Sequence, residues 1–318
     1  MAGFSWRIIP GMARWGLVLL LAFASCRQAV APVGTLLPAT TPDAGDAPTT
    51  ARTELMPLEV DGVTRTLIVH VPGGLVGPRA LVLNLHGSGG TAAAQESSTA
   101  MDALADSAGF IVAYPDGAIA LSSGFAWNVP GQPLFGGEAV PAGAADDISF
   151  FTQAIAALEQ RYPIDAKRIY ATGMSGGARM ASQLGCDLST LVAAVAPVAG
   201  LRFPAPCASE RPVAVAAFHG TADTTNPYDG NGEAYWTYSV PSAAQQWGVH
   251  NGCGDTPAVS QAAAGVELTT YGDCAGGATV ALYTIAGAGH EWPGAPGQTP
   301  AIDAGAVMWS FFSEHPLP

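Results

Sequence analysis

RIYATGMSGGARMA, residues 168–181, decides how the rest of the chain is read. RIYAT has the composition of a strand, GGARMASQLG that of a helix, and Ser175 stands in G-x-S-x-G where one turns abruptly into the other. Glycines two positions either side leave room for a strained backbone that exposes the serine hydroxyl, and a helix N-terminus favours negative charge beside it. With 39 glycines in the chain the motif alone is weak, and a glycine-rich turn holding an incidental serine is the alternative. The remaining chain has to supply the partners that a reactive serine needs.

Outward from this turn, strand-length apolar runs alternate with helical patterns. They are TLIVHV (66–71), ALVLNL (80–85), FIVAYP (110–115), RIYAT (168–172), LVAAVAPV (191–198), PVAVAAF (212–218) and ATVALYTI (278–285). Several are continuous rather than alternating, as in parallel strands covered on both faces. Between them, DDISFFTQAIAALEQRY puts Ile148, Phe151, Ile155, Leu158 and Tyr162 on one helical face, with Asp146 or Asp147 as N-cap. The pattern predicts a single α/β domain, a mostly parallel open sheet with helices on both faces. Ligands bind such sheets beyond the carboxyl ends of the strands. The loops to search are therefore NLHGSGG, YATGMSGG, AFHGTAD and TIAGAGHEWPG.

A serine hydroxyl is a poor nucleophile until a base takes its proton, and that base is usually oriented by a carboxylate. Of six histidines, His70 falls inside a strand pattern, His86 and His219 end strands before glycine, His250 precedes the Cys253 loop and His315 is in the tail. His290, in the loop after the last strong strand, is left as the base. HGTADTTNPYDG offers two acids: Asp223 is nearer the strand end, whereas Asp229 in Tyr-Asp-Gly reads as a turn residue. The order Ser175, Asp223, His290 is that of α/β-hydrolases. An oxyanion also needs donors, and the backbone N–H groups of Ser88, in NLHGSGG, and Gly176 are the candidates, with Gly89 as an alternative to Ser88. The His86 ring would brace that loop.

The chain has 318 residues, 49% hydrophobic and 12% charged, enough apolar material for a large core. Its first residues carry Arg7 and Arg14 without an acid, then an apolar run from Trp15 to Ala24, the pattern of a secretory signal over residues 1–25. Phe23-Ala24-Ser25-Cys26 resembles a lipoprotein processing site, with Cys26 as the lipid-bearing residue and Phe23 where Leu is usual. Ordinary cleavage near Cys26 is the alternative. Residues 26–52, rich in Pro, Thr and Ala, read as a flexible tether, leaving 53–318 as the catalytic domain. The formal charge is −13, and loss of residues 1–25 removes two arginines and no acids, giving −15. Such a chain repels phosphate backbones, so nucleic acid is not an expected partner, and a membrane is expected only through the anchor. Four cysteines remain after Cys26. Three pairings are possible, and the equal spacings favour Cys186–Cys207 and Cys253–Cys274 over a zinc site, for which the ligand motifs are missing.

Taken in order, LHGSGG, the DDISF helix start, RIYATGMSGG, FHGTAD and GHEWPG resemble the esterase family that includes extracellular polyhydroxybutyrate depolymerases and feruloyl or acetylxylan esterases. The resemblance covers residues 55 to 315. It implies Ser175 as nucleophile, Asp223 and His290 as its partners, the 86–89 loop as oxyanion donor, both cysteine pairs as disulfides, and an acyl-enzyme mechanism without metal or organic cofactor. Many depolymerases of solid polyester carry further polymer-binding domains, whereas this chain ends at Pro318, so a soluble ester or oligomer is the expected substrate. His86, Trp292 and Trp127 are the candidates for lining a substrate cleft, with core or rim packing as the plain alternative for the tryptophans. Two rival functions are a serine peptidase of the same fold and a non-catalytic carbohydrate-binding lipoprotein.

Overall fold

The computed structural model describes residues 35–36, 50–74, 76–230 and 234–318. These lie in one compact unit, Val33–Pro318. The signal segment, Cys26 and most of the tether lie outside the described residues.

The chain begins with β1 (Thr35–Leu36), β2 (Arg52–Val60), β3 (Val63–Val71) and β4 (Arg79–Leu85). Helices α1 (Ala92–Thr99) and α2 (Met101–Ala108) lead to β5 (Ile111–Pro115) and the small hairpin β6 (Ile119–Ala120) and β7 (Phe125–Ala126). Then follow α3 (Asp147–Arg161), β8 (Ile164–Met174), α4 (Gly176–Asp187), β9 (Ala194–Val198), β10 (Ala214–Gly220) and α5 (Val240–His250). β11 (Ala258–Ala263), β12 (Val266–Tyr271), β13 (Val280–Ile285) and α6 (Ala304–Glu314) complete the domain.

Eleven strands form one sheet in the order β1-β2-β3-β5-β4-β8-β9-β10-β13-β12-β11. The six from β5 to β13 are mutually parallel. Antiparallel strands extend both flanks. Strand residues alternate between two cores: Leu81, Leu83, Ile169 and Val195 enter one, Val82, Tyr170 and Ala194 the other. The first core is roofed by α3, α4 and α5 through Phe151, Leu184 and Trp247. The second is roofed by α1, α2 and α6 through Ala92, Met101 and Phe312. Burial on both faces is why the central strands read as unbroken apolar runs.

Differences from the sequence expectation lie at the sheet margins. β1 falls inside the segment read as a tether, pairing Thr35 with Glu59 and Leu36 with Leu58. β2, β11 and β12 have no counterpart among the expected strands. β11 is exposed over almost its whole length, so no buried face imposes a period on it. At α3, Asp146 is the N-cap, its carboxylate accepting from Ile148 and Ser149 N–H. Asp147 is buried instead and holds Arg65. Cys186 is bonded to Cys207 and Cys253 to Cys274.

Candidate active site

Ser175 has φ 57 and ψ −114, a strained conformation between β8 and the first residue of α4. The turn persists because its surroundings leave one solution. The Ser175 N–H donates to the Val198 carbonyl at 2.9 Å. A Cβ at Gly177 would fall onto the Leu85 carbonyl oxygen, and one at Gly200 onto the Ser175 carbonyl oxygen. These glycines are demanded by close approach, since neither has positive φ.

Asp223 and His290 follow β10 and β13, two strands of the parallel set that contains β8. All three residues thus meet the carboxyl edge of the sheet. His290 Nδ1 lies 2.8 Å from Asp223 Oδ2. A carboxylate only accepts, so Nδ1 is the donor of this bond, and Nε2 is the ring nitrogen that can act as a base. The Asp223 side chain is fully buried, whereas that of His290 keeps 19% exposure.

The environment of Asp223 explains how a buried carboxylate stays ionised. Burial raises its pKa, but hydrogen bonds from His219 and His290, the charge of His290 and the Asn226 N–H outweigh this and hold it well below the usual carboxylate range. Oδ1 accepts the N–H groups of Thr225 and Asn226, both at 2.8 Å. His219 Nε2 approaches Oδ2 at 3.3 Å and the Asn226 carbonyl at 2.8 Å. Asn226 Nδ2 donates to the Ala199 carbonyl at 2.6 Å. Ala199 itself has φ 50 and precedes Gly200, which packs on Ser175. Asp223 and the Ser175 turn are therefore joined through Asn226. Neither His219 nor Asn226 was found from sequence. The only trace was the four-residue spacing of His219 and Asp223 in HGTAD.

The loop after β4 stands against the start of α4. Ser88 N lies 3.1 Å from where a Cβ on Gly176 would be. The Gly176 N–H, at the helix start, has no partner within the helix. Two N–H groups are thus brought together beside Ser175. The Gly89 N–H is spent on the Phe125 carbonyl at 2.8 Å, which removes it as the alternative donor.

His86 and the two tryptophans need correction as cleft-lining residues. His86 is 1% exposed, and Trp127 and Trp292 are 3% exposed. Trp127 belongs to one core and Trp292 to the other. The His86 ring braces its loop: Nε2 accepts the Gly117 N–H at 2.9 Å, so Nδ1 donates to the Gly87 carbonyl at 2.8 Å. Burial lowers its pKa. Trp127 Nε1 donates to the His86 carbonyl at 2.8 Å. Behind this loop, Arg65 donates to Asp147 and to the Asp116 carbonyl, and Asp147 Oδ2 accepts the Asn128 N–H at 2.6 Å. Burial opposes both charges, pushing the Asp147 carboxyl up and the Arg65 guanidinium down, and their contact offsets part of that cost.

The sheet order, the strained serine between β8 and α4, and an acid and a histidine after β10 and β13 define an α/β-hydrolase. An acetyl xylan esterase from Aspergillus awamori has this fold, with TM-score 0.56 and 19% identity over 79% of this chain and 94% of that one. The family model described as Esterase PHB depolymerase matches residues 66–222. Feruloyl esterase B of Piromyces equi is 33% identical over 80% of this chain and 46% of its own length. NocK of Nocardia uniformis subsp. tsuyamanensis, provisionally named an esterase, is 32% identical over 78% of this chain and 75% of its own. This chain belongs to that esterase family, and it spans less than half the length of the Piromyces relative.

Proposed function

We propose that the protein is an exported serine carboxylesterase working through an acyl-enzyme on Ser175. The observation that carries this reading is the bond between buried, ionised Asp223 and His290 at the sheet edge that also bears Ser175 in its strained turn. His290 Nε2 takes the Ser175 Oγ proton as Oγ attacks the ester carbonyl. The Ser88 and Gly176 N–H groups stabilise the oxyanion as it forms, and His290 then protonates the departing alcohol. Water, deprotonated by His290, attacks the acyl-serine and releases the acid. Asp223 keeps the imidazole in the required tautomer throughout.

Family membership supports ester hydrolysis, and relatives named feruloyl esterase, acetylxylan esterase and poly(3-hydroxyalkanoate) depolymerase favour feruloyl esters, acetylated xylan and hydroxyalkanoate esters as the substrates to try first. The N-terminal pattern and two disulfides support export, with residues 1–25 as signal, Cys26 as lipid attachment point, a tether to about residue 52 and the catalytic domain beyond.

The test is product release by the exported chain from methyl ferulate, acetylated xylan and 3-hydroxybutyrate oligomers, beside Ser175→Ala. Turnover of one class and a fall of about 10⁴-fold or more in the variant are expected. A Ser175→Ala protein that keeps its activity would overturn the mechanism.

A further inference from the structure

Of the described arginines, Arg79 and Arg179 have neither a carboxylate nor a side-chain hydrogen bond, and of these two only Arg179 is buried. Arg52 and Arg161 meet Glu54, Arg65 meets Asp147, and Arg168 meets Asp165. Arg202 donates to Gln183 Oε1, and Arg211 to a set of backbone carbonyls. Arg179 is 3% exposed, and its Nε and Nη1 are buried without a hydrogen-bond partner. Its guanidinium lies over the Tyr235 ring, 4.8 Å from the centroid. The Tyr238 hydroxyl, another of its neighbours, is also buried and unpartnered. No carboxylate of the described residues is near enough to form an ion pair with it.

A buried guanidinium without an anion is strongly unfavourable, and a ring face replaces only part of the lost hydration. In a chain of formal charge −13, where four other arginines meet carboxylates, a buried arginine with no carboxylate among the described residues points to a ligand that arrives from outside. Its position says which ligand. Arg179 sits in the first turn of α4, and its N–H donates to the Ser175 carbonyl at 3.1 Å. From Arg179 an aromatic stack leads outward through Tyr235 to Phe135, ring centroids 5.3 Å apart, and Phe135 is half exposed.

We infer that Arg179 and the Tyr238 hydroxyl bind a carboxylate, so that the preferred substrate is an ester that also carries a free carboxylate group. One unpaired guanidinium balances a single negative charge, and its planar array of donors matches a carboxylate; the tyrosine hydroxyl adds another donor. This rests on Ser175 being the nucleophile, but the site itself is testable without turnover.

The turnover test uses two matched pairs. Carboxylate on the acyl side is probed by 4-nitrophenyl hydrogen succinate against methyl 4-nitrophenyl succinate. Carboxylate on the alcohol side is probed by 3-acetoxybutyrate against its methyl ester. The expected result is a higher kcat/KM for the acid member of one pair, carried by KM. The acid-to-neutral quotient should fall at least tenfold in Arg179→Gln and several-fold in Tyr238→Phe. An acid member disfavoured in both pairs, or a quotient that neither variant changes, overturns the inference. Failure of the wild-type chain to hydrolyse any of the four esters counts against the esterase reading instead. The inference is then decided by calorimetry on the Ser175→Ala chain. Binding of monomethyl succinate over dimethyl succinate, weakened at least tenfold by Arg179→Gln or several-fold by Tyr238→Phe, supports it, and equal binding of the two, or a preference that neither variant weakens, sinks it. Tyr238→Phe keeps the test decisive if Arg179→Gln does not fold.

Discussion

Asp223 is the residue on which the site turns, because one carboxylate accepts from two imidazoles and two backbone N–H groups. Its pKa is depressed in the fold, so the stability it contributes is present above the unfolded value, about 3.9, and is lost as pH falls from there through the folded value. Thermal unfolding of the wild-type chain should therefore show no loss from this group between pH 7 and 5 and a decline below about pH 4, a decline that Asp223→Asn lessens. Equal acid sensitivity in the two proteins would contradict the assignment. Asn226 carries a second expectation at this scale. Asn226→Ala strands the buried Ala199 carbonyl, at a cost of about 1–3 kcal/mol, and frees the acid from the nucleophile turn. Since misplacement by ~1 Å can cost about 10²-fold, kcat should drop roughly 10- to 100-fold with a measurable fall in Tm. An Asn226→Ala enzyme with normal kcat would show that the link through Ala199 does not position the acid. Nothing in TADTTN announces this role, because Asn226 reaches Ala199 only after β9 and β10 have paired.

Among the elements, α3 and the two disulfides do more than cover the sheet. Asp147, the first residue of α3, ties Arg65 on β3 to the Asn128 N–H, and thereby steadies the segment whose Gly117 and Trp127 hold His86. Asp147→Asn leaves Arg65 buried without its charge partner and should destabilise the chain by about 3–5 kcal/mol. Denaturant unfolding measures this, and a loss under ~1 kcal/mol would mean that the Asp116 carbonyl suffices. Cys186–Cys207 links the end of α4 to the loop beyond β9, and Cys253–Cys274 links the segment after α5 to that after β12. Each spans a sequence separation of 21, so loop closure is worth about 3 kcal/mol apiece. Reduction should lower the denaturation midpoint correspondingly, and an unchanged midpoint would remove the bridges from the account of stability. The central strands, α3 and the nucleophile turn were legible as elements, because two-sided burial and helical periodicity leave marks in sequence. The β11–β12 hairpin left none, since its pairing rests on backbone hydrogen bonds to β13 and on few buried side chains.

At the scale of the molecule, the sequence by itself determined an α/β sheet, the strands after which the candidate loops fall, and the candidate serine, acid and histidine that those loops carry. These follow from local chemistry: glycines around the serine, apolar runs that end at polar loops, and two equally spaced pairs among the five cysteines. Tertiary structure alone decided the rest. It buried His86, Trp127 and Trp292, which sequence had offered as cleft candidates, because an aromatic beside a loop looks the same in sequence whether its ring faces solvent or core. It spent the Gly89 N–H on Phe125 and left that of Ser88 beside Gly176. It set a second imidazole on Asp223, and it enclosed Arg179 among tyrosines with no carboxylate of the described residues paired to it. All of these depend on which distant segments meet across the sheet edge, and the free energy of a hydrogen bond or an unpaired charge exists only once its burial and its partners are defined.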